Sequence, residues 1–257
     1  MKPNPPTPPV ASSPPLIAVR NVTKRYTPQG PDVLKGISFD VSANEVLAII
    51  GTSGCGKSTL LKVIAGLETP TTGEVELHDD HFTLVFQYSA LFDSLTVFEN
   101  VAFSLMEAPD DSTRPFQALP QAQIEALVQE KLALLGLQGS EHKYPNELSG
   151  GMQKRVSFAR AIMSNPRIVL YDEPTSGLDP VASNVLEDYI NTLSQELKAA
   201  SIVVTHTMST ICRTADRVIM LHEGHIHWQG TPQEMLVSQD PIVHRFTQAA
   251  LDTTKGS

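Results

Sequence analysis

The chain has 257 residues, a formal net charge of −9 and a pI of about 5.3, which argue against a protein that binds nucleic acid through a basic surface. Two cysteines are too few for a disulfide-stabilised scaffold and indicate a reducing compartment, and no apolar run reaches the about 20 residues of a membrane-spanning helix. We therefore expect a soluble α/β protein with one large domain or two small ones and no nucleic-acid partner.

The first fifteen residues contain seven prolines and lack both the apolar segment of a secretory signal and the arginines of a transit peptide. Residues 1–15 are therefore predicted to form a disordered, proline-rich tail. Folded structure is expected from 16 to about 250, beginning with an alternating strand from Leu16 to Tyr26, and residues 251–257 are expected to be a flexible C terminus.

A glycine-rich turn, GTSGCGKST, lies between an apolar strand at Val46–Ile50 and a periodic helix. Such a turn lets successive backbone N–H groups point inward at the positive end of a helix dipole, which suits an anion. Lys57 is placed to reach the β- and γ-phosphates of a nucleotide, Ser58 to bind Mg²⁺ and Thr59 to contact the α-phosphate. The predicted ATP-binding residues of this turn are Gly51, Thr52, Ser53, Gly54, Cys55, Gly56, Lys57, Ser58 and Thr59.

Cys55 lies inside this predicted turn, where nearby backbone dipoles would favour its thiolate. We expect bound ATP to cover the thiol. Cys212, on a later helix, is expected to react independently of nucleotide.

A helical segment is predicted to interrupt the α/β pattern from about 88 to 165. Short strands precede it, at Val75–Leu77 and Leu84–Phe86. Within the segment, Gly136 ends a helix with one amphipathic face, formed by Ile124, Leu127, Val128, Leu132 and Leu135.

The segment LSGGMQKR, at 148–155, predicts the capped start of another helix. Ser149 is the expected N-cap, and Gly150 and Gly151 leave the helix N-terminus open to a phosphate, which makes this a second candidate anion site. One chain cannot easily bring two such distant helix starts to one γ-phosphate. We therefore expect two copies of the chain to associate head-to-tail with two ATP molecules between them.

Acidic residues and a histidine follow two predicted central strands. Asp172 and Glu173 come after an apolar strand, where Asp172 can hold Mg²⁺ and Glu173 can polarise an attacking water. His206 follows the next strand and is placed to contact the γ-phosphate and orient that water. Between these strands, Asp179 is the expected N-cap of a helix whose inner face is Val181, Val185, Tyr189, Leu193 and Leu197.

Two further clusters contain histidine. His78, Asp79, Asp80 and His81 are interpreted as turn residues in preference to a metal site. His222, His225 and His227 are interpreted in the same way as residues of a surface hairpin.

These motifs, in this order, resemble those of ATP-binding cassette (ABC) ATPases across nearly the whole chain. The resemblance implies an α/β P-loop NTPase fold of the ABC type, with a RecA-like parallel-sheet core, an antiparallel β subdomain and an inserted helical subdomain at about 88–165. It implies ATP hydrolysis with ATP and Mg²⁺ as cofactors, Glu173 as catalytic base and His206 as the switch histidine. Three more residues are assigned by the resemblance: Gln87 as the Q-loop glutamine that assists catalysis and contacts Mg²⁺, Tyr26 as the aromatic that stacks on adenine, and Asp179 as a nucleotide-contacting D-loop residue.

A narrower similarity is carried by the segments at 86–103, 148–152 and 240–246. They resemble the ATPases of lipid transporters, namely the bacterial Mla (maintenance of lipid asymmetry) system and its chloroplast relative. This implies an integral membrane permease, a Mce-type substrate-binding protein reached through the permease, and a cytoplasmic, peripheral position on the inner membrane. The alternatives are the ATPase of an importer for amino acids or ions and, against the motif spacing, a soluble ABC ATPase that acts on DNA or ribosomes.

Aromatic and aliphatic residues are frequent directly after the Q-loop glutamine. Val97, Phe98 and Val101 share a helical face and are expected to be core residues. Leu91 and Phe92 are predicted to form an apolar groove for a short cytoplasmic helix of the permease.

Overall fold

The computed structural model describes residues 14–106 and 119–254. The predicted proline-rich tail therefore lies almost entirely outside the described residues. The same is true of positions 107–118 in the helical subdomain and of the last three residues.

Three strands form a small antiparallel sheet in the order β2-β1-β4. They are β1 (Ile17–Lys24), β2 (Leu34–Val41) and β4 (Thr72–Leu77). In β2 the buried side chains alternate with more exposed ones, as expected for a sheet with one face on the core. Tyr26 lies just past the end of β1, so the first strand is shorter than predicted.

A six-stranded sheet in the order β5-β6-β7-β3-β8-β9 forms the centre of the molecule. Its neighbouring strands run parallel except for the β8–β9 pair. Strands β3 and β7 are buried along their whole length, which explains their continuous apolar sequences. The parallel-sheet core is thus confirmed, with strands β3 (Val46–Gly51), β5 (Phe82–Val85), β6 (Ile168–Asp172), β7 (Ala200–Val204), β8 (Arg217–His222) and β9 (His225–Gly230).

The helical subdomain follows β5 and contains α2 (Val97–Met106), α3 (Gln121–Leu134), a 3₁₀ turn (Pro145–Glu147) and α4 (Gly150–Ile162). Ile124, Val128 and Leu132 are buried, which confirms the predicted face of α3. Leu91 is partly buried against the core shared by this subdomain and the sheet, which leaves only part of its side chain for the predicted groove. Phe92 remains partly exposed, with its ring centroid 4.7 Å from that of Phe103.

Other helices pack on the large sheet: α1 (Lys57–Ile64), α5 (Pro180–Leu197), α6 (Met208–Thr214), α7 (Pro232–Leu236) and α8 (Pro241–Thr254). Helix α8 continues through Thr254, so the segment expected to be flexible from 251 begins as helix. Val181 was expected on the inner face of α5, but it is 73% exposed. The buried stripe of this helix instead follows Ala182, Leu186 and Ile190, at four-residue spacing, and Val181 is turned about 100° away from it.

Within the described parts of the chain, no helix is long and apolar enough to span a bilayer. The carboxyl ends of β3, β5, β6 and β7 meet at one edge of the large sheet, because these strands are parallel. Open α/β sheets bind their ligands at that edge. The residues that follow these strands are therefore the candidate ligand-binding residues.

Candidate functional site

The glycine-rich turn leaves β3 at Gly51 and enters α1 at Lys57. Gly51 has a φ of +146°, and a Cβ atom there would lie 2.3 Å from the carbonyl oxygen of Leu221, so only glycine fits. Helix α1 begins after Gly56 without a side-chain cap. The N–H groups of its first turn are thus available to an anion.

Lys57 lies over this turn. Its Nζ donates hydrogen bonds to the carbonyl oxygens of Gly51 (2.8 Å) and Thr52 (3.1 Å). Thr52, Ser53 and Gly54 are exposed at the tip of the turn. A phosphate that bound here would meet backbone N–H groups and an ammonium that is already close by.

Cys55 does not fit the prediction made for it. The residue is 7% exposed, and its Sγ lies 2.7 Å from the position of a Cβ on Gly51, so the thiol packs beneath the turn. Burial raises the pKa of the thiol more than the nearby Lys57 lowers it. The prediction of a favoured thiolate is therefore wrong, because desolvation outweighs the backbone dipoles.

Asp172, the last residue of β6, lies beside the first turn of α1. The hydroxyl of Ser58 donates a hydrogen bond of 3.4 Å to Asp172 Oδ1. Burial, and then the charge of Glu173, raise the pKa of Asp172 above its usual value. A carboxylate held next to a second carboxylate and a hydroxyl is a donor set that suits Mg²⁺.

Glu173 and His206 are in contact across the ends of β6 and β7. His206 Nδ1 lies 2.8 Å from Glu173 Oε1. Glu173 has a φ of 50°, an uncommon conformation for this residue type. Its buried Oε2 has no hydrogen-bond partner among the described residues. Strained backbone and an unpaired buried oxygen are features that concentrate at functional sites.

Tyr26 and Gln87 lie at the same edge. Tyr26 is 55% exposed, and its hydroxyl lies 3.3 Å from Thr59 Oγ1. Gln87 is exposed just past the end of β5, and Val85 is paired with Tyr171 in the parallel register. Gln87 therefore follows the strand that neighbours β6 in the sheet.

The LSGGMQKR segment and the D-loop are positioned by helix caps. Ser149 Oγ accepts a hydrogen bond of 3.3 Å from Met152 N, and Asp179 Oδ1 accepts bonds of 2.9 Å from Val181 N and Ala182 N. Both predicted N-caps are confirmed. No hydrogen bond or ion pair in the described structure joins Ser149, Gly150 or Gly151 to the phosphate-binding turn of the same chain.

One residue near the site was missed by sequence reasoning. Lys154, on α4, donates a hydrogen bond from Nζ to the carbonyl oxygen of Ser176, which precedes Asp179. Burial lowers the pKa of Lys154, and the charge of Glu173 partly offsets this. A lysine near a helix start is usually solvated, so the pattern alone gave no signal of this contact.

The histidine clusters have ordinary polar partners. Asp79 Oδ1 accepts a hydrogen bond of 2.8 Å from the backbone N–H of His81, which is turn geometry. His222 pairs with His225 across the β8–β9 hairpin, and His227 Nε2 lies 2.9 Å from Asp240 Oδ2. The described residues contain no group of three or more side chains suited to a metal ion among His, Cys, Asp and Glu.

Comparison with known proteins identifies relatives over almost the whole chain. A model of the family described as "ABC transporter" matches residues 34–176, more than half of the 257. The protein TRIGALACTOSYLDIACYLGLYCEROL 3 of Arabidopsis thaliana chloroplasts is 42% identical, over 92% of this chain and 74% of its own length. The spermidine/putrescine import ATP-binding protein PotA of Mycoplasma capricolum is 36% identical, over 86% of this chain and 62% of its own length.

A solved structure has the same fold. The dimeric ATP-binding cassette MJ0796, in a post-hydrolysis state bound to ADP and Pi, superimposes with a TM-score of 0.75 and 29% sequence identity. The match covers 84% of this chain and 98% of that one. The small antiparallel sheet, the parallel core and the inserted helices are therefore those of an ABC cassette. The chain belongs to the ABC transporter ATPase family and is an ATP-binding, ATP-hydrolysing member of it.

Proposed function

We propose that the chain is the ATPase subunit of a transporter that moves phospholipid or another hydrophobic cargo between membranes. The observation that carries this proposal is the 42% identity, over 92% of the chain, to a chloroplast protein whose name is that of a galactolipid. The proposed partners are an integral membrane permease and, through it, a Mce-type substrate-binding protein. The proposed location is peripheral, on the cytoplasmic face of the inner membrane.

In this proposal ATP binds with its phosphates on the turn from Gly51 to Thr59. Lys57 exchanges its two backbone carbonyl partners for phosphate oxygens, and the uncapped N-terminus of α1 contributes N–H groups. The ring of Tyr26 stacks on the adenine, beside Thr59 at the α-phosphate.

Mg²⁺ would be held by Ser58, Asp172 and Gln87. Ser58 and Asp172 already lie within hydrogen-bonding distance of each other, and the raised pKa of Asp172 shows that its negative charge is poorly compensated in the ligand-free protein. When bound, the cation would neutralise charge on the β- and γ-phosphates.

Hydrolysis is assigned to Glu173 and His206. Glu173 would accept a proton from the water that attacks the γ-phosphate, since its Oε2 has no hydrogen-bond partner among the described residues. His206 holds the other carboxylate oxygen through the 2.8 Å contact and extends toward the γ-phosphate. The histidine side chain is largely exposed, as access to nucleotide requires.

The second copy completes the site. Ser149, Gly150 and Gly151 form a helix start that, within the described structure, makes no hydrogen bond or ion pair to the phosphate-binding turn of their own chain. In a head-to-tail dimer this helix start, together with Asp179, would meet the γ-phosphate held by the partner copy. The similarity to a dimeric cassette supports this arrangement.

The permease is proposed to dock beside the Q-loop. A cleft of about 330 Å³ lies between β5, α2 and α4, and Phe82, Phe86, Phe103 and Arg160 are among the residues that line it. Phe82 and Phe86 are 42% and 46% exposed, although both are large apolar side chains. Such exposure, one residue from Gln87, suits an apolar helix of the permease.

Docking is tested by Phe82→Asp, with Leu134→Asp on α3 as the matched control, because Leu134 is an apolar residue of similar exposure outside the cleft. We expect Phe82→Asp to reduce co-purification of the permease at least about tenfold, since an apolar contact would be replaced by a charge that docking must desolvate. Both variants should melt like the parent. Equal recovery of the permease with both variants would place the docking surface elsewhere.

The cargo is tested with the purified complex in two vesicle populations. We expect Mg-ATP to drive transfer of a fluorescent phospholipid from donor to acceptor vesicles, and the complex carrying Glu173→Gln to show no transfer. The second candidate is an importer of small solutes, which the similarity to PotA favours. Uptake of spermidine or an amino acid, without lipid transfer, would establish that function instead.

A further inference from the structure

One fully buried carboxylate takes no part in the proposed chemistry. Glu187, on α5, is 0% exposed. Its Oε1 accepts hydrogen bonds from the hydroxyls of Ser209 (3.1 Å) and Thr210 (2.8 Å), both on α6. Its Oε2 lies 2.8 Å from Arg213 Nε, an ion-pair distance, although the angle does not make a hydrogen bond.

A further hydrogen bond joins Thr210 to Thr175, in the loop that follows Glu173. Thr210 Oγ1 lies 2.9 Å from Thr175 Oγ1, and both residues are buried. A hydroxyl has a single proton, and an ionised carboxylate only accepts, so Thr210 donates to Glu187 and Thr175 must donate to Thr210. The carboxylate therefore fixes the direction of the whole chain of hydrogen bonds.

The two segments that Thr175 and Thr210 join lie next to the proposed catalytic residues in the sequence. Thr175 comes two residues after Glu173, and α6 begins at Met208, two residues after His206. Glu173 and His206 are themselves joined at 2.8 Å. The segments that carry Glu173 and His206 are thus joined twice, once by these two side chains and once by Thr175 and Thr210.

We propose that Glu187 is a positioning residue for catalysis, which holds the loop of Glu173 and the helix behind His206 in register through Thr175 and Thr210. A buried ion pair is weak support for stability, because apolar replacements of such pairs are often neutral or stabilising. The Glu187 carboxylate, by contrast, accepts two hydrogen bonds from α6 and, through Thr210, orients the hydroxyl of Thr175. It therefore sets the position of α6 relative to the loop of Glu173. This inference rests on the proposed roles of Glu173 and His206.

The test is a comparison of three variants of the full chain in Mg-ATP turnover. Glu187→Gln keeps the shape but removes the charge, and Thr175→Val leaves Glu187 with its α6 partners while removing the link to the Glu173 loop. Asp188→Asn is the matched control, because exposed Asp188 pairs with the same Arg213 from the next position on α5. All three should bind ATP with unchanged affinity, since none touches the phosphate-binding turn.

We expect Glu187→Gln and Thr175→Val to lower kcat at least about tenfold at unchanged KM, because misplacing a catalytic group by 1 Å costs up to about a hundredfold. Asp188→Asn should stay within about twofold of the parent. A merely structural role would lower the melting temperature and leave the kcat of the folded protein unchanged. If Glu187→Gln does not fold, Thr175→Val decides alone.

The inference is overturned if kcat in Thr175→Val, or in a folded Glu187→Gln, stays within about twofold of the parent. It is also overturned if only KM changes, or if kcat falls as far in Asp188→Asn as in the other two variants. Glu173→Gln and His206→Ala are run beside them. If these two retain turnover, the proposed catalytic pair is wrong. If they lose turnover while the Glu187 and Thr175 variants do not, the pair stands and the positioning role is excluded.

Discussion

Replacing Glu173 by glutamine tests the proposed chemistry most directly. The change keeps the side-chain shape and the neighbour at 2.8 Å, His206, but removes the carboxylate that is proposed to accept a proton from water. A general base contributes about 10²–10⁴-fold to rate, or about 3–5 kcal/mol of barrier. We therefore expect kcat to fall by at least about a hundredfold. ATP affinity should be preserved, because Lys57 and the N-terminus of α1 are untouched.

The matched control is Glu223→Gln. Glu223 has a φ of 49°, almost the same as the 50° of Glu173, but it lies at the exposed turn of the β8–β9 hairpin. It therefore reports any general effect of changing a glutamate in this backbone conformation. We expect full turnover in the control, and in Glu173→Gln an ATP-dependent shift to a dimer on size exclusion. Turnover within about tenfold of the parent in Glu173→Gln would refute the assignment of the base.

Two further predictions concern ionisable groups beside the nucleotide. The raised folded-state pKa of Asp172 means that the folded protein binds more protons than the unfolded chain, so this residue makes stability fall as pH rises above about 4. Nucleotide-free Asp172→Asn should therefore be at least as stable as the parent in urea at pH 7, with a smaller difference at about pH 4, and a less stable variant at pH 7 would contradict this. The second prediction concerns alkylation: exposed Cys212 should react at the same rate with and without Mg-ATP, whereas buried Cys55 should react only after unfolding. If Cys55 is labelled in the native protein and ATP suppresses this labelling, the thiol faces the nucleotide after all.

Much of the fold follows from the sequence because its signals are local. The continuous apolar runs of β3 and β7 are typical of strands buried on both faces, and the structure places them side by side. Ser149 and Asp179 cap helices because their side chains bond N–H groups two or three residues away. Such short-range chemistry is visible in a single sequence.

Other expectations failed where a side chain could turn either way. Cys55 lies in a turn whose backbone faces the nucleotide, but its own side chain packs beneath it, where burial dominates its pKa. Val181 fits the apolar spacing of α5, and the true buried stripe runs through its neighbour Ala182. Leu91 is partly buried against the core, which leaves only part of its side chain for the predicted groove. In each case the tertiary neighbours decided the orientation, and they are distant in sequence.

The polar residues that join segments are the hardest to foresee. Glu187 and Thr210 are 23 positions apart, and Thr210 and Thr175 are 35 apart. The predicted inner face of α5 passes through Val185 and Tyr189 and leaves position 187 on the outer side of the helix, where a glutamate is expected. The burial of Glu187 is therefore visible only in the structure. Here the partners are the segments that carry the two proposed catalytic side chains, so the buried glutamate lies where the fold must hold two loops in one arrangement.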